Sequence, residues 1–267
     1  GNTRGPVPFH QIGDHSVAGS DPGRRVALVT AISTPVDSIR IVQVKVYQGP
    51  PLEYRAGQFA RLTFASQPPR DYSLASPPGN GELEFHIRVS DPRSVSAFVG
   101  KKLRVGDKVA VEGPFGDAWF RAEDSGLILA IGGGTGIVPV KSIVEAALGQ
   151  RSRDRIYLYF GARTESDLYL DSHFCGLVAS YPSLTYVPVL SEPEGKTHRR
   201  TGGVAEAVAA DLDSVSGFRV YVAGPPPMVN AAWALLSERG LKLGRIHADP
   251  LVSDDHHSAP ALVTVGG

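Results

Sequence analysis

Cysteine is almost absent from this chain of 267 residues, in which Cys175 stands alone. One thiol cannot build an internal disulfide framework, nor supply the four ligands of an iron–sulfur cluster within this chain. Net charge is absent too, because 27 basic residues meet 27 acidic ones. That balance selects neither nucleic acid nor an anionic membrane as a principal partner. No apolar run reaches the length that crosses a bilayer. The first 23 residues lack the basic-then-apolar order of a signal peptide, so the cytoplasm is the expected compartment. The start, Gly1-Asn2-Thr3, lacks Met and reads as that of an expressed fragment or a tag remnant. No catalytic triad or paired carboxylates stand out. Asp249, Asp254, Asp255, His256 and His257 read as a mobile polar tail, and no metal site is expected.

What is present falls into two styles. Residues 1–23 are rich in Gly, Pro, Ser and His and read as a linker or tail, and residues 253–267 as a second tail. Over residues 24–122 the apolar pattern is short and alternating. Val26-Leu28-Thr30, Ile39-Ile41, Phe59-Arg61-Thr63, Leu83-Phe85-Ile87-Val89 and Val109-Val111 are separated by Gly-Pro, Pro-Pro and Gly-Asn-Gly turns. This spacing predicts a small antiparallel β-barrel, with one brief helix at Val95–Val99. Over residues 123–252 strands alternate with helices. The predicted strands are Leu127–Ile131, Ile156–Phe160, Leu184–Val189 and Val220–Ala223. Helical periods fall at Pro139–Leu148, Asp167–Val178, Val204–Leu212 and Pro227–Arg239. The fold class is therefore two-domain, an antiparallel β-barrel followed by an α/β doubly wound parallel sheet.

The organising stretch is Leu127–Pro139, an apolar run followed at once by Gly132-Gly133-Gly134-Thr135-Gly136 and then by a helix start. Glycines let a backbone approach phosphate, and a helix N-terminus offers N–H groups to it. The cluster is not a true G-x-G-x-x-G, because Ile137 stands where a third glycine would be. Four further motifs accompany it. Arg70-Asp71-Tyr72-Ser73 combines a bidentate phosphate grip, a flat stacking face and a hydroxyl. Glu84-Phe85-His86-Ile87-Arg88 sets His86 and Arg88 on one strand face, with Ser94-Val95-Ser96 at a helix start shortly after. Val111–Gly116 closes the barrel with a turn, and Ala223-Gly224-Pro225-Pro226-Pro227-Met228 follows a late strand. In a parallel sheet the two glycine-bearing strand ends would border one crevice.

Together, and in this order, these motifs resemble the ferredoxin–NADP reductase superfamily. The likeness is nearest to the NADH-dependent reductase components of bacterial aromatic-ring-hydroxylating dioxygenases, the naphthalene dioxygenase reductase kind. It covers roughly residues 25–252. The resemblance implies FAD in the barrel and a nicotinamide dinucleotide on the parallel sheet. It would put Arg70 on the pyrophosphate, Tyr72 against the flavin ring and Ser73 near its reactive nitrogen, making Tyr72 and Ser73 the catalytic pair. His86, Ile87 and Arg88 match a flavin-contacting strand, and Val95 and Ser96 a phosphate-binding helix start. Gly133, Gly134, Thr135 and Gly136 match the dinucleotide loop, and Gly224, Pro225 and Met228 the motif beside the nicotinamide. Four departures stand out. Pro92-Arg93 replaces a Gly-Gly pair, Ala223 replaces a cysteine, and Leu251 stands where an aromatic often covers the flavin. The fourth concerns the plant-type [2Fe–2S] domain that relatives often carry before the barrel. Either that domain was removed here, or a separate ferredoxin or oxygenase receives the electrons.

The expected donor is NADH, with NADPH as the alternative: Arg163 suits a 2′-phosphate, but Ser191-Glu192 at the next strand end lacks basic partners for it. The expected function is hydride uptake from NADH by FAD and single-electron delivery to an iron–sulfur protein in aromatic hydrocarbon catabolism. Two other readings stand beside it. One is a flavin or ferric reductase with a diffusible acceptor, the other a non-catalytic FAD-binding scaffold.

Overall fold

In the computed structural model the described residues are 23–251, apart from residue 80 and residues 151–153. Both predicted tails therefore lie outside the described residues, save Gly23. The first half carries β1 (Arg25–Val36), β2 (Ile39–Gln48), β3 (Phe59–Phe64), β4 (Arg70–Ser73) and β5 (Leu83–Arg88), then α1 (Val95–Lys101) and β6 (Lys108–Phe115). The six strands form one antiparallel sheet in the order β4-β3-β6-β1-β2-β5. It curls into a half-barrel. The segment after β4 meets β5 where the Ala75 N–H donates to the Glu84 carbonyl at 2.8 Å. Alternation explains the curl: Val42, Val44, Leu62, Phe64, Phe85, Val109 and Val111 fill one core while their neighbours face outward.

The second half carries β7 (Leu127–Gly133), α2 (Ile137–Gly149), β8 (Ile156–Ala162), α3 (Asp171–Ser180), β9 (Leu184–Leu190), β10 (Arg200–Thr201), α4 (Val204–Asp211), β11 (Phe218–Gly224), α5 (Pro226–Glu238) and β12 (Ile246–Pro250). Its sheet is parallel, in the order β10-β9-β8-β7-β11-β12. Side chains at every second position choose opposite faces. Ile128, Ala130, Leu158 and Phe160 pack against α2 and α3, whereas Leu129, Ile131, Val220 and Val222 pack against α4 and α5. Being buried on both sides, β7 reads as a continuous apolar run, and β11 does so from Val220 onward. The chain moves outward from β7 to β10 and then returns to the other side of β7 as β11. That reversal is a topological switch point, and its open end is where the two glycine-bearing segments emerge.

Three local differences from the sequence reading have physical causes. The second-half helix begins at Ile137, preceded by a 3-10 turn at Gly134–Gly136, so Pro139 is its third residue rather than its first. There its missing N–H costs nothing, because first-turn amides have no intrahelical partner. The predicted helix Asp167–Val178 is split. Thr164 and Asp167 form a reciprocal capping box that closes a short turn at Glu165–Asp167, and α3 starts only at Asp171. Asp249 lies not in a polar tail but in the edge strand β12, level with Ala223 of β11. Asp254, Asp255, His256 and His257 are outside the described residues. Among the described residues no group of His, Cys, Asp or Glu is arranged to hold a metal, and no helix is long and apolar enough to cross a membrane.

Candidate active site

The glycine loop is shaped first by its own neighbours. A Cβ on Gly136 would run into the backbone of Ala223 and Gly224, and one on Gly133 into the Met228 thioether. These two glycines therefore let the ends of β7 and β11 lie against each other, with Gly132 level with Ala223. Gly134 is different: its φ is +54°, and a Cβ there would meet nothing within 4 Å. It is the loop position that faces open space. No side chain caps α2 and no acid stands in its first turn; the same holds for α5, which opens with prolines after Pro225. Two helix starts without acceptor side chains thus converge beside the switch point. Leu251 joins them, its N–H donating to the Gly224 carbonyl at 2.9 Å.

On the barrel side, Arg70, Tyr72 and Ser73 occupy β4, which among the described residues is an edge strand paired with β3. The Tyr72 ring packs edge-on to Phe64, with centroids 6.2 Å apart. Arg70 is partly buried and donates to the Pro69 carbonyl at 2.9 Å. Ser96 is fully buried, hydrogen-bonded to the α1 N-cap Ser94, whose hydroxyl accepts from the Ala97 N–H. The side chains of Ile87 and Val95 point into the barrel core, so only their backbone is available to a ligand.

The His86 ring is committed within the protein. Its Nε2 lies 2.9 Å from Glu84 Oε1, and its Nδ1 lies 2.9 Å from the Tyr169 hydroxyl of the second half. Because the carboxylate can only accept, Nε2 carries the proton and Nδ1 accepts from tyrosine. Burial pulls the imidazole pKa down, opposed by Glu84, while the His86 hydrogen bond and then Lys141 pull Glu84 to about 2. Arg88 approaches Asp167 at 3.6 Å. At the outer end, the Arg163 side chain is 70 % exposed, and Glu192 is anchored beside it by its N–H donating to the Arg163 carbonyl at 2.8 Å.

Sequence reasoning missed Glu84, Lys141, Tyr169 and the placement of Asp249. A signal for Lys141 existed: with Glu145 it forms an i,i+4 charge pair inside an otherwise apolar helix. Asp249 borders a cavity of ≈ 10 Å³ shared with Gly57, Ala118, Ala223 and His247. Burial, and then the Asp117 charge, push its carboxyl up to about 6. A larger cavity, ≈ 200 Å³, lies at the opposite, amino end of the parallel sheet around Ile128, Ile156 and Arg219. Ligands of such sheets bind at the carboxyl ends, so the smaller cavity marks the functional side.

Comparison with known proteins agrees with this geometry. Residues 27–120 match the oxidoreductase FAD-binding domain family and residues 130–233 the oxidoreductase NAD-binding domain family. The ferredoxin–NAD(P)+ reductase component of the naphthalene 1,2-dioxygenase/salicylate 5-hydroxylase systems of a Ralstonia species is 38% identical over 221 residues, spanning 83% of this chain and 67% of that protein. The chain belongs to the ferredoxin–NAD(P)+ reductase family. This reductase is also 33% identical over 188 residues to an NAD(P)H-flavin reductase of Aliivibrio fischeri, covering 68% of this chain and 79% of that one. A solved cytochrome P450 reductase from Amycolatopsis superposes with a TM-score of 0.78 at 30% identity, covering 85% of this chain and 69% of that chain.

The reductase is therefore an NAD(P)H-dependent flavoprotein oxidoreductase with FAD- and NAD-binding halves, which sets the scaffold reading aside. Its residues fit two anionic dinucleotides. On the parallel-sheet side, helix starts free of acids and one open glycine at φ +54° suit an anionic phosphate group, and on the barrel side the partly buried Arg70 and Arg88 are cations of the kind such a group pairs with.

Proposed function

We propose that this reductase takes hydride from NADH and passes electrons singly to an iron–sulfur protein, a ferredoxin or an oxygenase, that serves aromatic-ring oxygenation. The observation that carries the reading is the convergence of the β7 and β11 ends in one half of a chain whose other half is a barrel carrying Arg70, Tyr72 and Ser73 on its strand β4. When bound, FAD supplies the chemistry of converting a two-electron hydride into two one-electron transfers. The rest falls to the chain. Arg70 would grip pyrophosphate, Tyr72 would offer its ring to the flavin, and Ser73 would donate a hydrogen bond to the flavin's reactive nitrogen. The backbone at Val95 and the side chain of Arg88 would complete the flavin phosphate site, with the buried Ser96 hydroxyl bracing Ser94 at the helix start. His86 and Ile87 contribute through the backbone of β5. Gly133–Gly136 cradle the nicotinamide dinucleotide, while Gly224, Pro225 and Met228 flank its reactive ring and Leu251 closes over the crevice. Arg163 and Glu192 frame the adenosine ribose. The Glu192 carboxylate disfavours a 2′-phosphate, which supports NADH over NADPH. The domain boundaries that go with this reading are 24–122 for flavin and 123–252 for nicotinamide. Support comes from the gap between β6, ending at Phe115, and β7, starting at Leu127.

The test is acceptor choice. The FAD-loaded protein is assayed for NADH oxidation with a [2Fe–2S] ferredoxin from an aromatic dioxygenase system, and separately with free FMN. A ferredoxin kcat/KM at least ten-fold above that for FMN is expected. A preference for free flavin, with FAD lost on gel filtration, would instead assign the flavin-reductase role.

A further inference from the structure

The helix that carries the glycine loop is fastened directly to the segment that follows the flavin motif. Ser73 ends β4, and the carbonyls of Ala75 and Ser76, two and three residues further on, both accept from the second turn of α2. Lys141 Nζ reaches Ala75 O at 3.1 Å and Ser142 Oγ reaches Ser76 O at 2.8 Å. Lys141 is 7% exposed and Ser142 fully buried, so neither bond competes with bulk water. Two carboxylates hold the ammonium, Glu84 from the barrel at 3.5 Å and Glu145 from its own helix at 3.1 Å. Gln43 steadies Glu84 at 3.1 Å, and His173 steadies Glu145 at 2.7 Å. His86 and Tyr169 add the parallel bond at 2.9 Å.

A lysine buried among opposite charges is weak evidence for stability, since an apolar replacement of the whole cluster is often as stable. What such a cluster does supply is geometry, because each bond has one satisfactory partner. Here every bond crosses between the two halves or braces one that does. One end of the assembly lies two residues beyond Ser73, and the other lies five residues beyond Gly136.

We propose that Lys141, with Ser142, Glu84 and the His86–Tyr169 pair, is an interdomain clamp that sets the spacing of the nicotinamide on the flavin. The side chains of the clamp are positioning groups of hydride transfer; none of them is assigned a contact with the flavin, and His86 serves that site only through its backbone. The inference rests on the reductase reading above. The step it governs moves a hydride, two electrons with one proton, from the nicotinamide to oxidised flavin, and the second proton comes from solvent. Displacing reacting atoms by about 1 Å costs on the order of 100-fold in rate.

The test uses the full chain with FAD and two variants, Lys141→Met and the milder Tyr169→Phe/Ser142→Ala double change. Anaerobic stopped-flow gives the first-order rate of flavin reduction at saturating NADH, and reoxidation by ferricyanide is timed separately. Both variants are expected to keep FAD binding and reoxidation within two-fold, while flavin reduction slows at least ten-fold. A lesion of folding alone lowers the amplitude and leaves the rate constant intact. A second readout needs no turnover. Spin labels on the exposed native Cys175 of α3 and on Val105→Cys, in the barrel half, report the distance between halves by pulsed electron resonance with and without FAD. The clamp predicts one narrow distribution in the parent, broadened or shifted by several ångströms in both variants. Unchanged reduction rates, equal slowing of both half-reactions, or an unchanged distance distribution would overturn the proposal. A parent protein whose flavin NADH cannot reduce would instead refute the reductase reading.

Discussion

Arg70 and Glu84 show what single side chains contribute. If Arg70 grips pyrophosphate, Arg70→Ala loses a charge-assisted hydrogen bond worth about 1.5–3 kcal/mol. The FAD dissociation constant should then rise at least ten-fold in a fluorescence titration, with little change in the apoprotein melting temperature. Normal flavin retention would remove Arg70 from the site. For Glu84, the folded pKa of about 2 lies below its ordinary value of 4.5. The group therefore stabilises the fold above pH 4.5, and that contribution drains away as pH falls from 4.5 towards 2. A Glu84→Gln protein should lose about 3 kcal/mol in urea at pH 7, and its stability should depend less on pH across that acid window. Equal slopes for the two proteins would show that the carboxylate is not held ionised. At this scale the sequence was uneven. Arg70, Tyr72 and Ser73 lie within four consecutive residues and could be read as one motif. Glu84, Lys141 and Tyr169 come from three distant segments, and only folding brings them together.

Among the elements, β7, its glycine turn and α2 decide the arrangement of the site. The apolar run announced β7 because a strand buried on both faces has no reason to alternate. The role of each glycine was less legible, since close packing and ligand approach ask for the same residue type. The structure separates them. Gly136 has φ −62°, open to any residue, yet its Cβ would strike the β11 backbone; Gly134 is the reverse, unobstructed but left-handed. Gly136→Ala is accordingly expected to cost about 2–3 kcal/mol by overpacking, measured by chemical denaturation. Gly134→Ala should cost about 1 kcal/mol and should weaken NADH binding more than it weakens the fold. The opposite ranking in stability would mean that the loop relaxes at Gly136. The short strand β12 was hidden from pattern reading. Ile246–Pro250 includes a histidine, an aspartate and a proline, residues that an edge strand tolerates.

For the molecule as a whole, the two-sheet architecture was legible because periodicity changes abruptly, from alternating strands before residue 116 to more continuously apolar strands separated by helices after residue 127. The relation between the halves was not. Polar side chains such as Lys141, Ser142 and Tyr169 join them, with partners that no local pattern announces. The central claim is that these halves bring a reduced nicotinamide and a flavin together for hydride transfer. The most direct measurement is an anaerobic absorption spectrum of the FAD-loaded protein before and after adding one equivalent of NADH or NADPH. Rapid bleaching of the flavin band near ~450 nm is predicted, faster with NADH than with NADPH. A band that neither nucleotide bleaches would contradict the account.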